Sequence, residues 1–137
     1  MTTPRIGLIV PASNTAAEVQ FQRYAPAGVG VHTTRLRMTG QWSRPLSQLA
    51  DDITRAAEAL SDTSPGVIVF HCTANSMAEG QAGEARIIDL VEKASGCQAL
   101  TTGLAVKEAL AHISGSLRAS GRISRWRTAA PTPTATS

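Results

Sequence analysis

Short apolar runs alternate with amphipathic helical segments along this chain, and that alternation is what most restricts its fold. Four runs are predicted to be strands; they lie at 5–10, 29–37, 67–71 and 97–102. The strict two-residue alternation at 29–37 favours an edge strand. The clearest helical periodicity lies at 46–61, where apolar residues recur at three- and four-residue steps. Strands separated by helices are typical of βαβ units, so the sequence predicts an α/β fold with a parallel four-stranded sheet flanked by helices.

The charge of the chain is unevenly distributed. Its 137 residues carry a formal charge of +3, yet residues 1–113 hold nine basic and ten acidic side chains. Residues 114–137 hold four arginines and no acid. Because the part with helical and strand periodicity is nearly neutral, we expect no nucleic-acid partner. No run approaches the roughly 20 apolar residues of a membrane span, so we expect no membrane partner either.

Regular periodicity stops at about residue 113. We therefore predict one α/β domain at 1–113 and a disordered basic tail at 114–137, which is rich in Arg, Ser, Thr, Ala and Pro. Such an abrupt change of composition also suggests a frameshift or a truncated gene as the origin of the tail. The first residues lack a signal-peptide pattern, so we expect a cytoplasmic protein with reduced cysteines.

Cys72 is the first candidate for chemistry. It directly follows the strand predicted at 67–71, at the sheet edge where α/β proteins gather their ligands. Backbone N–H groups at the start of a helix favour thiolate at such a position. A small buried cysteine without reactivity is the alternative, and the sequence alone leaves the two about even. His71 precedes it on the strand and should face the opposite way, which makes it a poor general base for Cys72.

Asn14 and Ser13 lie in the equivalent loop after the first strand. They are suited to capping the following helix, which is the more ordinary role. They are also suited to presenting an amide and backbone donors to a bound carboxylate. If the first and third strands are neighbours, Asn14 and Cys72 share one edge of the sheet.

Motifs for metals and nucleotides are absent from the sequence. No cluster of His, Cys, Asp and Glu has the spacing of zinc ligands, so we predict no metal. The pair of glycines at 28 and 30 precedes a strand instead of following one, which excludes a dinucleotide fingerprint. We therefore expect no cofactor.

Several segments, taken together and in order, carry a family resemblance. They are 5–15 (RIGLIVPASNT), 24–29 (YAPAGV), 32–37 (HTTRLR), 67–76 (VIVFHCTANS) and 101–103 (TTG). Over residues 4–113 the chain resembles the maleate cis-trans isomerase and arylmalonate decarboxylase family of the aspartate/glutamate racemase superfamily.

The resemblance implies a racemase-like fold of two α/β halves, with the active site between them and no metal or organic cofactor. Cys72 matches the first-half cysteine, which attacks the alkene carbon in isomerase-type members. Asn14 matches the asparagine that holds a substrate carboxylate. Thr73 and Ala74 fall in the turn whose backbone binds that carboxylate, and Ser76 follows in the same turn.

The resemblance covers only the first half of such a protein. The sequence shows no counterpart of the second half with its second cysteine, nor of the tyrosine-bearing loop that the family carries just beyond the last matching helix. Cys97 belongs to the fourth strand of the first half. We therefore expect a cofactor-independent isomerase of a small maleate-like dicarboxylate, impaired by truncation. An arylmalonate decarboxylase, an aspartate/glutamate racemase-type enzyme, and an inactive fragment or carboxylate-binding domain remain alternatives. Decarboxylases typically lack the first cysteine, so Cys72 favours an isomerase or a racemase. A homo-oligomer also remains open.

Overall fold

A computed structural model of the chain describes residues 3–39 and 43–119. Within these residues, helices and strands alternate as the sequence predicts. The elements are β1 (Arg5–Pro11), α1 (Ala17–Tyr24), β2 (Gly30–Leu36), α2 (Leu46–Ser61), β3 (Val67–Phe70), α3 (Thr73–Ala78), α4 (Gly80–Ser95), β4 (Gln98–Thr101) and α5 (Thr102–Ala119). The chain divides after Leu104, so the sheet and the first four helices form one unit and the rest of α5 belongs to another.

The four strands form one parallel sheet in the order β2-β1-β3-β4. The predicted α/β class and parallel sheet are confirmed, and β2 lies at an edge as its alternation predicts. Ile9 of β1 pairs with Thr34 on one side and with Phe70 on the other. The carboxyl ends of β1 and β3 are therefore neighbours.

The larger hydrophobic core lies on the sheet face covered by α2 and α4. Its fully buried large side chains are Ile9, Leu49, Ile53, Ile68, Phe70, Ile87 and Val91. Each such burial contributes about 1.5–3 kcal/mol, so this face is the main source of stability. A Cβ at Gly7 would lie 2.9 Å from Ile68 Cγ1 and 3.3 Å from Leu60 Cδ1, so glycine lets α2 approach the sheet closely.

A smaller core on the opposite face joins β1 to α1. It contains Leu8, Val10 and Ala17, with Phe21 packed against them. The ring of His71 meets Phe21 edge-on, with 5.7 Å between the ring centroids. Cys72 belongs to the other core, so consecutive residues after β3 face opposite sides of the sheet, as the strand alternation predicts.

Two element boundaries differ from the sequence-based expectation. The residues after Cys72 form the short helix α3 in place of the predicted loop. Helix α5 continues to Ala119, six residues past the predicted end at 113. Apolar periodicity stops there, but no proline interrupts the helix. The prediction of a disordered tail concerns mainly residues 120–137, which lie outside the described part of the chain.

Candidate active site at the carboxyl edge of the sheet

Cys72 occupies the turn between β3 and α3. Its backbone is extended, with φ −142° and ψ 94°, and it is the last residue before the helix. The backbone N–H and the Oγ hydroxyl of Ser76 both donate to the Cys72 carbonyl oxygen, at 2.9 and 2.8 Å. The Cys72 side chain is only 6% exposed. The turn thus fixes a nearly buried thiol at the carboxyl edge of the sheet.

The groups around the Cys72 sulfur have opposite effects on the pKa of its thiol. Burial raises the pKa of the thiol above its ordinary value of 9.0, because a buried charge loses hydration. The backbone N–H groups of Asn75 and Ala74 act to lower this pKa. The Cys72 Sγ donates its proton to Asn75 Oδ1 at 3.4 Å. In this structure Cys72 is a protonated thiol at neutral pH, with donors in place for a thiolate.

Arg44 connects the loop after β2 to the cysteine turn. Asn75 Nδ2 donates to the Arg44 carbonyl oxygen at 2.6 Å. The Arg44 guanidinium donates to the carbonyl oxygens of Arg37 and Gln48, at 2.8 and 3.2 Å, and to Asp52 Oδ2 at 3.1 Å. The guanidinium therefore fastens this loop to α2, and the loop in turn holds Asn75.

Asn14 caps the turn that leads from β1 into α1. Its Oδ1 accepts hydrogen bonds from the backbone N–H groups of Ala16 and Ala17, at 3.0 and 2.9 Å. Across the described residues, Asn14 Nδ2 makes no hydrogen bond, and no buried side-chain nitrogen or oxygen lacks a partner. The two protons of its amide group are therefore open to solvent.

Arg35 of β2 holds the turn that contains Asn14. Its Nη1 donates to the carbonyl oxygens of Ala12 and Asn14, at 3.0 and 2.8 Å. Its Nη2 forms an ion pair with Glu18 of α1. The backbone of this turn is thus fixed from the edge strand, while the Nδ2 end of the Asn14 amide makes no hydrogen bond within the described part of the chain.

Both turns leave the same edge of the sheet, because β1 and β3 are adjacent and His71 N–H donates to the Ile9 carbonyl at 2.8 Å. Ser13 and Asn14 lie in the turn after β1 and Cys72 in the turn after β3, whereas Thr73, Ala74 and Ser76 lie in helix α3, which follows Cys72 directly. Ser13, Thr73 and Ala74 are exposed, whereas Ser76 is 1% exposed and its hydroxyl is bonded to the backbone. Their roles toward a substrate stay predictions.

Sequence reasoning missed the link between Arg44 and Asn75. Arg44 lies in a loop without periodicity, and 31 residues separate it from Asn75. The only available signal was that this loop follows β2 and must also reach the carboxyl edge of the sheet.

His71 supports the site from the other face. Thr102 Oγ1 lies 3.1 Å from His71 Nδ1 and 3.3 Å from the Phe70 carbonyl oxygen. Burial lowers the pKa of His71, so the ring is neutral at physiological pH. It connects the ends of β3 and β4 and does not touch the thiol side.

Within residues 3–39 and 43–119, no three His, Cys, Asp or Glu side chains are grouped so that they could hold a metal ion. None of the helices in that part of the chain is both long enough and apolar enough to cross a membrane. A cytoplasmic location stays a prediction.

Two maleate isomerases are similar to this chain in sequence, although no family model matches it. The maleate isomerase of Nocardia farcinica is 30% identical over 103 residues, which cover 70% of this chain and 41% of that protein. The maleate isomerase of Geobacillus stearothermophilus is 28% identical over 104 residues, covering 67% of this chain and 41% of the relative. The chain thus spans less than half the length of these relatives.

Comparison with solved structures finds the fold of this chain in arylmalonate decarboxylase and in a maleate isomerase. A double mutant of arylmalonate decarboxylase in a liganded form has the same fold, with a TM-score of 0.71 at 23% identity, covering 82% of this chain and 47% of that one. A cysteine-to-serine variant of the Nocardia farcinica isomerase, solved with a covalently bound succinylcysteine intermediate, gives a TM-score of 0.66 at 27% identity. That match covers 78% of this chain and 47% of the isomerase. The chain is therefore similar in sequence to maleate isomerases, shares its fold with arylmalonate decarboxylase, and spans about half of such a protein.

Proposed function

We propose that this chain binds a small unsaturated dicarboxylate such as maleate and supplies the nucleophile for its cis-trans isomerisation. The observation that supports this most directly is Cys72 itself. Its sulfur lies at the carboxyl edge of a parallel sheet and faces the backbone N–H groups of Ala74 and Asn75. A thiolate is a strong, soft nucleophile toward an alkene that a carboxylate activates.

The reaction proceeds by addition and elimination. The Cys72 thiol first loses its proton to solvent, and the thiolate forms a C–S bond to one alkene carbon while the π electron pair moves onto the adjacent carboxylate. The remaining C–C single bond rotates. The electron pair then returns, the C–S bond breaks, and the alkene re-forms as the trans isomer with the thiolate regenerated. A proton captured by the adduct instead gives a succinyl thioether, and the Nocardia farcinica isomerase was solved with a succinylcysteine.

Asn14 is the proposed carboxylate donor. Its oxygen is occupied by the N–H groups at the start of α1, so its open Nδ2 group can only donate. Donors aimed at the carboxylate oxygens stabilise the charge that addition places there. Ser13 beside it offers an exposed hydroxyl to the same carboxylate.

The turn after β3 is proposed to bind the substrate through its backbone. Thr73 offers its N–H to a substrate carboxylate at the start of α3. The Ala74 N–H faces the sulfur in this structure, so its first role is to stabilise the thiolate. The Ser76 hydroxyl, bonded to the Cys72 carbonyl, holds the turn in place.

Fumarate formation from maleate by the purified chain tests the proposal. We expect either turnover or a stoichiometric maleate adduct on Cys72, detected by mass spectrometry of the intact chain and its peptides. Cys72→Ser should abolish both, and Cys97→Ser is the matched control that should abolish neither. Activity that survives Cys72→Ser, or the absence of both fumarate and adduct in the wild-type chain, would contradict the proposal.

Carboxylate binding without turnover is the second candidate, favoured by the protonated state of the buried thiol. In that case maleate should shift the NMR signals of the Asn14 amide while no fumarate and no adduct form. Parallel assays with aspartate, glutamate and an arylmalonate separate the racemase and decarboxylase alternatives. Size-exclusion chromatography of the same samples tests whether the chain forms a homo-oligomer.

A further inference from the structure

Asn75 uses both ends of its side-chain amide. Its Nδ2 donates to the Arg44 carbonyl oxygen at 2.6 Å, and its Oδ1 accepts the proton of Cys72 Sγ at 3.4 Å. A backbone carbonyl only accepts hydrogen bonds, so the NH2 end must face Arg44. The oxygen end is therefore fixed toward the sulfur. Asn75 itself is only 6% exposed, so water does not replace either contact.

An amide oxygen next to a sulfur affects the two protonation states of the thiol in opposite ways. It accepts the S–H proton and so stabilises the thiol. It presents a partial negative charge to a thiolate and so destabilises it. Rotation of the amide by half a turn would place the NH2 group beside the sulfur and reverse both effects, but that rotation breaks the bond to Arg44.

We propose that Asn75 is a positioning residue that holds Cys72 in its thiol form, and that the Arg44 carbonyl sets this by fixing the orientation of the amide. The consequence for catalysis rests on the proposed function, because the thiolate of Cys72 is the nucleophile there. Release of Asn75 from Arg44 then converts a hydrogen-bond acceptor beside the sulfur into a donor and activates the cysteine.

Charged groups near the turn do not account for the state of the thiol. The guanidinium of Arg44 is bonded to Asp52 and to two backbone carbonyls, away from the sulfur. Glu79, which follows α3, accepts the first backbone N–H of α2 at 2.8 Å. His71 lies on the opposite face of the sheet. Burial raises the pKa of Cys72 and two backbone N–H groups lower it, and both are fixed by the fold. The Asn75 side chain, whose Oδ1 accepts the Cys72 S–H, is the contact that a substitution can change.

The test is the pH dependence of iodoacetamide alkylation at Cys72, followed by peptide mass spectrometry with Cys97 as an internal reference. Asn75→Ala should lower the pKa of Cys72 by about one unit, giving about tenfold more thiolate at pH values below it. Asn75→Asp, which is nearly isosteric, should raise that pKa. Asn14→Ala, the same change at the other asparagine of this edge, should leave it unchanged.

A purely structural role for Asn75 would raise the alkylation rate equally at all pH values without moving the midpoint, and that result overturns the proposal. If Asn75→Ala does not give a folded protein by circular dichroism, Asn75→Asp decides alone, and an unchanged midpoint again overturns it. The assay needs no maleate. A shifted midpoint with neither fumarate nor a maleate adduct in the wild-type chain therefore contradicts only the proposed function, whereas fumarate or adduct with an unshifted midpoint contradicts only this inference.

Discussion

The two turns at the carboxyl edge of the sheet are built alike but expose opposite ends of an asparagine. The turn after β1 contains Asn14 and is held by Arg35, and the turn after β3 contains Asn75 and is held by Arg44. Asn14 uses its oxygen to cap a helix and leaves its NH2 group in solvent. Asn75 uses its NH2 group on a backbone carbonyl and turns its oxygen to the thiol.

The difference shows that the residue type alone does not define what an asparagine offers to a ligand. The backbone group that occupies one end of the amide decides which end remains. At a helix start, backbone N–H groups occupy the amide oxygen, so the NH2 group remains as a donor. In the other turn, a backbone carbonyl occupies the NH2 group, so the amide oxygen remains as an acceptor. One turn is thereby suited to bind a carboxylate, and the other to keep a sulfur protonated.

The largest expected effect comes from changing the free end of Asn14. Asn14→Asp keeps an oxygen that accepts the Ala16 and Ala17 N–H groups, but places a negative charge where the substrate carboxylate would bind. We expect maleate affinity to fall about 100-fold, while the free energy of unfolding in urea changes by less than about 0.5 kcal/mol. Asn14→Ser, which caps without the charge, should lose less affinity. An unchanged affinity in Asn14→Asp would show that Asn14 only caps.

The next largest effect separates the two arginines. The Arg44 side chain is 16% exposed and fastens three acceptors, so Arg44→Met should lower the free energy of unfolding by about 2 kcal/mol. The Arg35 side chain is 38% exposed, and Arg35→Met should cost less than about 1 kcal/mol. Urea unfolding of both variants measures this. Equal losses would contradict the view that the cysteine turn is the more tightly held.

Alkaline pH should destabilise the wild-type chain through Cys72. The pKa of its thiol is raised in the folded protein, so from about pH 9.0 upward the folded state keeps a proton that the unfolded state releases. The stabilisation is complete below the unfolded pKa and is lost as the pH rises through the folded pKa. Because other groups titrate in this range, the measurement is the difference in unfolding free energy between wild type and Cys72→Ser. A difference that does not change with pH would contradict the raised pKa.

The smallest effect concerns His71, on the face away from the thiol. Burial lowers the pKa of His71 in the folded protein, so below about pH 6.5 the unfolded state binds a proton that the folded state does not bind. Stability should therefore decline as the pH falls below that value, and His71→Gln should remove part of the decline. Thermal unfolding between pH 5 and 7 tests this; equal slopes for both proteins would show that His71 remains hydrated.

Much of the fold could be predicted from local sequence patterns, because buried strands and amphipathic helices each have an apolar pattern that is recognisable within a short segment. The run at 67–71 and the periodicity at 46–61 place β3 and α2 almost to the residue. The end of α5 was not predictable in the same way, because regular apolar periodicity stops at about residue 113 while the helix continues to Ala119. Gly115 weakens such a helix without ending it.

The location of Cys72 and Asn14 at the carboxyl edge of the sheet was predictable, but their contacts were not. Cys72 and Asn14 follow from the rule that ligands gather where parallel strands end. From the sequence, helix capping and carboxylate binding were alternative roles for Asn14. The structure shows that capping uses only the Asn14 side-chain oxygen. The bond between Asn75 and Arg44 depends on how two irregular segments meet, which no local pattern encodes.

The hydrogen bond from Cys72 to Asn75 also bears on how long the protein survives in the presence of peroxide. Oxidation to sulfenic acid, and then irreversibly beyond it, begins at the thiolate. A sulfur that stays protonated until a substrate arrives resists that damage throughout the idle periods between encounters. If Cys72 acts as the proposed nucleophile, slower addition to the alkene is exchanged for slower oxidation of its sulfur.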